Sequence, residues 1–66
     1  MLAKDYVRVK PGPPIAGISY DHVEVYDPTE DDWHCVRAAQ DRADAIDVQD
    51  YIVKAIAHAQ GSNGKR

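Results

Sequence analysis

With 66 residues, 7.3 kDa and a formal net charge of −3, the chain is at most one small domain, and a fold of this size buries only about 60% of its unfolded surface. Cys35 is the only cysteine and Phe is absent, which excludes an internal disulfide and leaves a thin core of mostly Ala and Val, so self- or partner-association is expected as the support. No run approaches the roughly 18 apolar residues needed to span a bilayer, and residues 1–20 lack the charged start and apolar centre of a signal peptide, so a cytoplasmic protein with no membrane partner is expected.

"YVRVK" (6–10) alternates, Val7 and Val9 on one face against Tyr6, Arg8 and Lys10 on the other, which predicts a half-buried strand. It stops at "PGPP" (11–14), where three prolines remove ladder donors, and "ISY" (18–20) is a candidate short strand after Gly17. "HVEVY" (22–26) repeats the alternation with Val23 and Val25 on one face. An antiparallel ribbon of 6–10 with 22–26 follows, and a ribbon alone needs a helix on its valine face to be stable.

"DPTEDDW" (27–33) carries the marks of a helix start. Asp27 and Thr29 can accept first-turn amides, Pro28 tolerates a missing donor, and Glu30, Asp31 and Asp32 suit the positive helix end. Trp33, Val36, Ala39 or Gln40, and Ala43 then recur at helical spacing, predicting a helix over about 30–43. Asp47 and Asp50 mark a second start, and Val48, Ile52, Ala55, Ile56 and Ala59 trace an apolar face, predicting a helix over about 48–60 with Gly61 as terminator and 61–66 as a flexible tail. The expected fold is α+β, a small antiparallel β-ribbon of two or three short strands followed by two packed helices in one domain over 1–60.

Charge is uneven along the chain. Residues 27–50 hold Asp27, Glu30, Asp31, Asp32, Asp41, Asp44, Asp47 and Asp50 against only Arg37 and Arg42. Such an acidic stretch disfavours nucleic acid as the partner, including a helix-turn-helix reading of the two helices, and favours a basic protein surface.

No spacing announces chemistry. His22, His34, Cys35 and His58 are candidate metal ligands, with Asp31 and Asp32 as further oxygens, but His34 and Cys35 as helix neighbours diverge by about 100 degrees and no CxxC, HExxH or HxxxH pair is present. The same divergence argues against a Cys–His nucleophile pair, and Asp31 and Asp32 have no cleft to keep one of them protonated. The glycines form no phosphate-binding pattern. The expectation is a protein without enzymatic activity, metal or cofactor. Trp33 is either the keystone of the core, which its size favours, or an exposed anchor for a partner.

The run "PIAGISYDHVEVYDPTEDDW" (14–33) resembles the front of tail assembly chaperones of long-tailed bacteriophages, on Pro14, Ile15, Gly17, Tyr20, Val23, Val25, Pro28, Thr29 and Asp32. It departs from that family at Tyr26 and Asp27, where a basic residue is usual, and in the short 43–48 segment. The resemblance implies a protein of the host cytoplasm that binds a long, helical tape measure protein and keeps it soluble until tail tube subunits polymerise around it. Trp33, Val36, Val48, Ile52 and Ile56 are the residues expected to meet such a partner by helix-in-groove packing, in competition with the fold's own core. The alternative is a small acidic inhibitor that lays residues 27–50 on a basic site of an enzyme or nucleic-acid-binding protein.

Overall fold

The computed structural model of the chain describes residues 2–64. A short 3-10 turn at Ala3–Tyr6 leads into strands β1 (Val7–Pro11), β2 (Asp21–Asp27) and β3 (Asp32–Ala39), and the chain ends in one helix, α1 (Arg42–Gly64). The strands form one antiparallel sheet in the order β1-β2-β3. The α+β expectation holds, and the two expected helices are replaced by a third strand and a single long helix.

The valine alternation sets the first pairing. Val7 faces Val25 and Val9 faces Val23 across β1 and β2, so one side of the ribbon is apolar. Between these strands residues 12–20 form an arm rather than the expected strand at 18–20. Ile15 and Ile18 exchange backbone hydrogen bonds of 2.9 and 3.0 Å around Ala16 and Gly17, both at positive φ (53° and 80°). That is the backbone of a two-residue hairpin turn, and the prolines on its approach keep it extended.

Residues 30–41 are not helical, and only Arg42 and Ala43 of the helix expected over 30–43 belong to one, α1; the helix-start chemistry of "DPTED" serves a hairpin turn instead. Asp27 Oδ1 accepts from the Thr29 amide (2.9 Å) and from the Thr29 hydroxyl (2.6 Å), a turn that uses the same side-chain oxygen a helix cap would use. Asp31 then takes φ 52°, a left-handed geometry that reverses the chain and that aspartate tolerates better than most residues. The chain returns as β3, with Asp32 opposite Asp27 and Trp33 opposite Tyr26. Trp33, Cys35 and Val36 are poor helix formers, and the aromatic and β-branched residues among them suit a pleated surface.

The β2–β3 ladder carries a bulge. Glu24 pairs with Cys35 and Val23 with Arg37, leaving Val36 as an extra residue in β3. Strand side chains alternate, so one inserted residue exchanges the faces beyond it. Trp33 and Cys35 therefore lie on the face of Glu24 and Tyr26, whereas Arg37 and Ala39 lie on the face of Val23.

Helix α1 covers the valine face. Asp41 caps it, with Oδ1 accepting from the Ala43 amide (3.2 Å) and its carbonyl accepting from Ala45 (3.1 Å). The expected start at Asp47 lies inside the helix, where Asp50 instead pairs with Lys54 one turn on (2.9 Å). Val7, Val23, Ala39 and Ala45 form the buried cluster, flanked by Tyr6, Val9, Val48, Ile52, Val53 and Ile56. Val23 and Ala45 are fully enclosed (0% exposed). Gly61 does not terminate the helix, which runs through it to Gly64; of the tail expected at 61–66, residues 65–66 lie outside the described residues. Two ion pairs tie α1 to the sheet, Arg37 to Asp44 (2.9 Å) and Arg42 to Asp21 (3.0 Å).

Ala45 sets how closely the helix approaches the sheet. Ala45→Leu is expected to cost about 1–3 kcal/mol by overpacking, seen as a lower urea midpoint. Ala57→Leu on the exposed side of the same helix is expected to leave the midpoint nearly unchanged.

Candidate binding surface

The five residues expected to meet a partner fall in two places. Val48, Ile52 and Ile56 are half-buried on α1 and turned toward the core cluster. Trp33 and Val36 belong to β3. Val36 is the exposed residue of the bulge (53%), and Trp33 is half-buried on the face that α1 does not cover. Its size suggested a keystone of the core, yet the buried cluster is built of Val and Ala without it.

Strand alternation assembles the uncovered face: Arg8 and Lys10 from β1, His22, Glu24 and Tyr26 from β2, Trp33 and Cys35 from β3. These side chains form a connected band. Arg8 Nε donates to Glu24 Oε1 at 2.6 Å, and its guanidinium carbon stands 4.0 Å from the centre of the Trp33 ring, a cation–π contact. The Trp33 and Tyr26 rings are 5.3 Å apart and tilted by 53°, and Tyr26 is 6.4 Å from Tyr6. The Tyr26 hydroxyl donates to Asp31 Oδ1, so the band is moored to the hairpin turn. This bond, with burial and the charge of Asp31, raises the Tyr26 pKa above its ordinary value. At the far end of the face the His22 ring lies against Gly12, where a Cβ would collide with it.

Glu24 is the one buried charged residue among the described residues. Arg8 is its partner, and the Arg8 guanidinium in turn lies over the Trp33 ring, so carboxylate, guanidinium and indole form one connected group. Beside the band lies an open cleft of about 390 Å³ lined by Tyr6, Val25, Tyr26, Ile56, Ala59 and Gln60. Tyr6 and Tyr26 belong to both features.

Elsewhere the geometry separates groups that adjacency in sequence had placed together. His34 pairs opposite Val25 and Cys35 opposite Glu24, so the two project to opposite faces. Cys35 Sγ instead lies 3.5 Å from the Arg37 carbonyl oxygen. Asp21 has a pKa below the ordinary aspartate value, chiefly through its hydrogen bonds from Arg42. Asp27 is lowered as well, first by the Thr29 hydroxyl. Among the described residues no helix is long and apolar enough to cross a membrane. Comparison with family models, with curated proteins and with solved structures returned no match.

Sequence reasoning found Trp33 but missed Arg8, Glu24 and Tyr26 as its neighbours. The signal was present as the polar face of the two alternating strands, Arg8 with Lys10 and Glu24 with Tyr26, and it became legible once a third strand carried Trp33 alongside.

Two tests follow from this geometry. Arg8→Ala leaves Glu24 without its partner and is expected to lower stability by about 1–3 kcal/mol in urea unfolding, more than Lys10→Ala, since Lys10 is exposed. For Asp21 the folded pKa lies below the unfolded one, so its stabilisation is present above about pH 4 and lost as pH falls through the folded value. Asp21→Asn is therefore expected to flatten the decline of stability below about pH 4, measured by thermal unfolding across a pH series.

Proposed function

We propose that this protein is a non-enzymatic protein-binding accessory factor that docks an apolar or amphipathic helical segment on the uncovered sheet face. The observation that carries this reading is the collection of Trp33, Tyr26 and Arg8 on the sheet face that α1 leaves uncovered, beside an apolar cleft. Trp, Tyr and Arg are the residue types that dominate interface hot spots, and here they already contact one another across the strands.

Surface area supports the same reading. The chain exposes 4776 Å², where a compact protein of this mass exposes about 4,200 Å². Leu2, Ile15, Ile18, Val36, Ile46 and Tyr51 are exposed apolar or aromatic side chains, a large number beside so small a core. A partner would cover surface that this fold leaves in water.

The likeness of residues 14–33 to the front of phage tail assembly chaperones makes a tape-measure-like helical protein the partner to try first. Within the five residues first associated with such binding, Trp33 and Val36 are the available anchors, while Val48, Ile52 and Ile56 serve the core. The second reading, an acidic inhibitor of a basic site, draws on the exposed turn acids Glu30, Asp31 and Asp32.

Co-expression with a long helical, tape-measure-like protein is expected to raise the soluble yield of that protein, and Trp33→Ala is expected to abolish the gain while circular dichroism stays unchanged. Failure of the wild-type chain to raise the yield counts against the chaperone reading. Salt separates the two readings. Apolar docking persists from low to moderate ionic strength, whereas binding through exposed acids collapses as the screening length shortens to about 8–10 Å.

A further inference from the structure

We propose that the β2–β3 hairpin turn is a binding site for a first-row divalent transition ion such as Zn²⁺, held by Asp27, Glu30 and His34. These residues come from the end of β2, the turn and β3, and the hairpin holds them close together. None of the familiar ligand spacings describes this set, which pairs the end of one strand with the turn and the next strand.

One ligand atom from each of the three lies within 4.8 Å of the others. His34 Nε2 is the focus, 2.9 Å from Glu30 Oε1 and 3.7 Å from Asp27 Oδ2. Separations of this size are those of ligands that close onto a cation at about 2.0–2.2 Å through small side-chain rotations. The Asp27 carboxylate is already oriented for the task. Its Oδ1 is engaged by the Thr29 amide and hydroxyl, which leaves Oδ2 turned to His34, the outer support that metal-ligating carboxylates commonly have.

Two further observations point to a cation. Asp27, Glu30, Asp31 and Asp32 sit within six residues, and among the described residues no Lys or Arg forms an ion pair with any of them; every such pair involves Glu24, Asp44, Asp21 or Asp50. Among the described residues His34 is the basic group that pairs with the turn acids Asp27 and Glu30. The imidazole also selects the class of ion, since a nitrogen ligand with two carboxylates suits Zn²⁺ and its first-row neighbours over Mg²⁺ or Ca²⁺. Cys35 is not a fourth ligand, because it projects to the opposite face. Glu30 and His34 are exposed, so water completes the coordination, and the ion acts as a staple across a hairpin in a chain with no disulfide.

The test uses the untagged full chain titrated with Zn²⁺ by calorimetry, with Mg²⁺ as the control, and thermal unfolding alongside. The expected result is one saturable Zn²⁺ per chain, a melting temperature raised by roughly 4–8 °C at saturating metal, and amide shifts confined to residues 27–34. Affinity is expected to fall at least about tenfold in His34→Ala and in Glu30→Gln, and to be unchanged in His58→Ala, which alters the exposed end of α1. Thr29→Ala, which removes the hydroxyl bond to Asp27 Oδ1 but keeps the amide bond and every ligand, provides a second variant and is expected to weaken binding as well. No saturable binding at submillimolar Zn²⁺, equal response to Mg²⁺, or binding that survives His34→Ala overturns the proposal. None of these results bears on docking at the Trp33 face, which lies on the other side of the sheet.

Discussion

The structure depends on how the chain reverses at Asp27–Asp31. The Asp27 carboxylate gathers the Thr29 amide and hydroxyl, and Asp31 takes the left-handed backbone that sends the chain back along β2. Without that reversal β3 would not exist and the sheet would be a two-stranded ribbon, too small to stand in water. Trp33 would also have no place next to Tyr26 and Arg8. Local polar chemistry at five residues thus decides both the architecture and the surface available for binding.

The bulge at Val36 divides the labour of the third strand. Before it, Trp33 and Cys35 extend the uncovered face, and after it, Ala39 enters the core while Arg37 reaches Asp44 on the helix. An unbulged strand would put Trp33 and Ala39 on the same side, so that either the core would lose Ala39 or the helix would meet an indole. The consequence is a fold with its small residues inside and its largest side chain outside. The Arg8–Glu24 pair then holds that side chain in place. Core and surface are two faces of one thin sheet, and neither can be altered far without the other.

Much of the first half was legible in the sequence. The alternation of Val7 with Val9 and of Val23 with Val25 located β1 and β2 to within a residue or two, because period-two patterning is nearly independent of context. The apolar positions Val48, Ile52 and Ile56 located the packing face of the helix for a similar reason. The misreading began at "DPTEDDW", where one side-chain oxygen can cap a helix or close a turn, and spacing alone does not choose. Two signals argued for the turn. An aspartate stood where a left-handed residue was needed, and Trp33, Cys35 and Val36 followed in quick succession, a composition better suited to a strand. The cap at Asp41, one residue before α1 begins, is hidden in the sequence because the apolar helical spacing continues through Ala43. The neighbours of Trp33 were out of reach, since cross-strand contacts exist only once the register is known.

The central claim is that residues 32–39 form a strand that carries Trp33 on the uncovered face. Nuclear Overhauser contacts in the free protein test it most directly. The account expects cross-strand contacts from the Trp33 ring to Tyr26 and Arg8, with extended backbone shifts through 32–39. Helical shifts over that span, with Trp33 contacting Arg37 one turn on and neither Tyr26 nor Arg8, would contradict it.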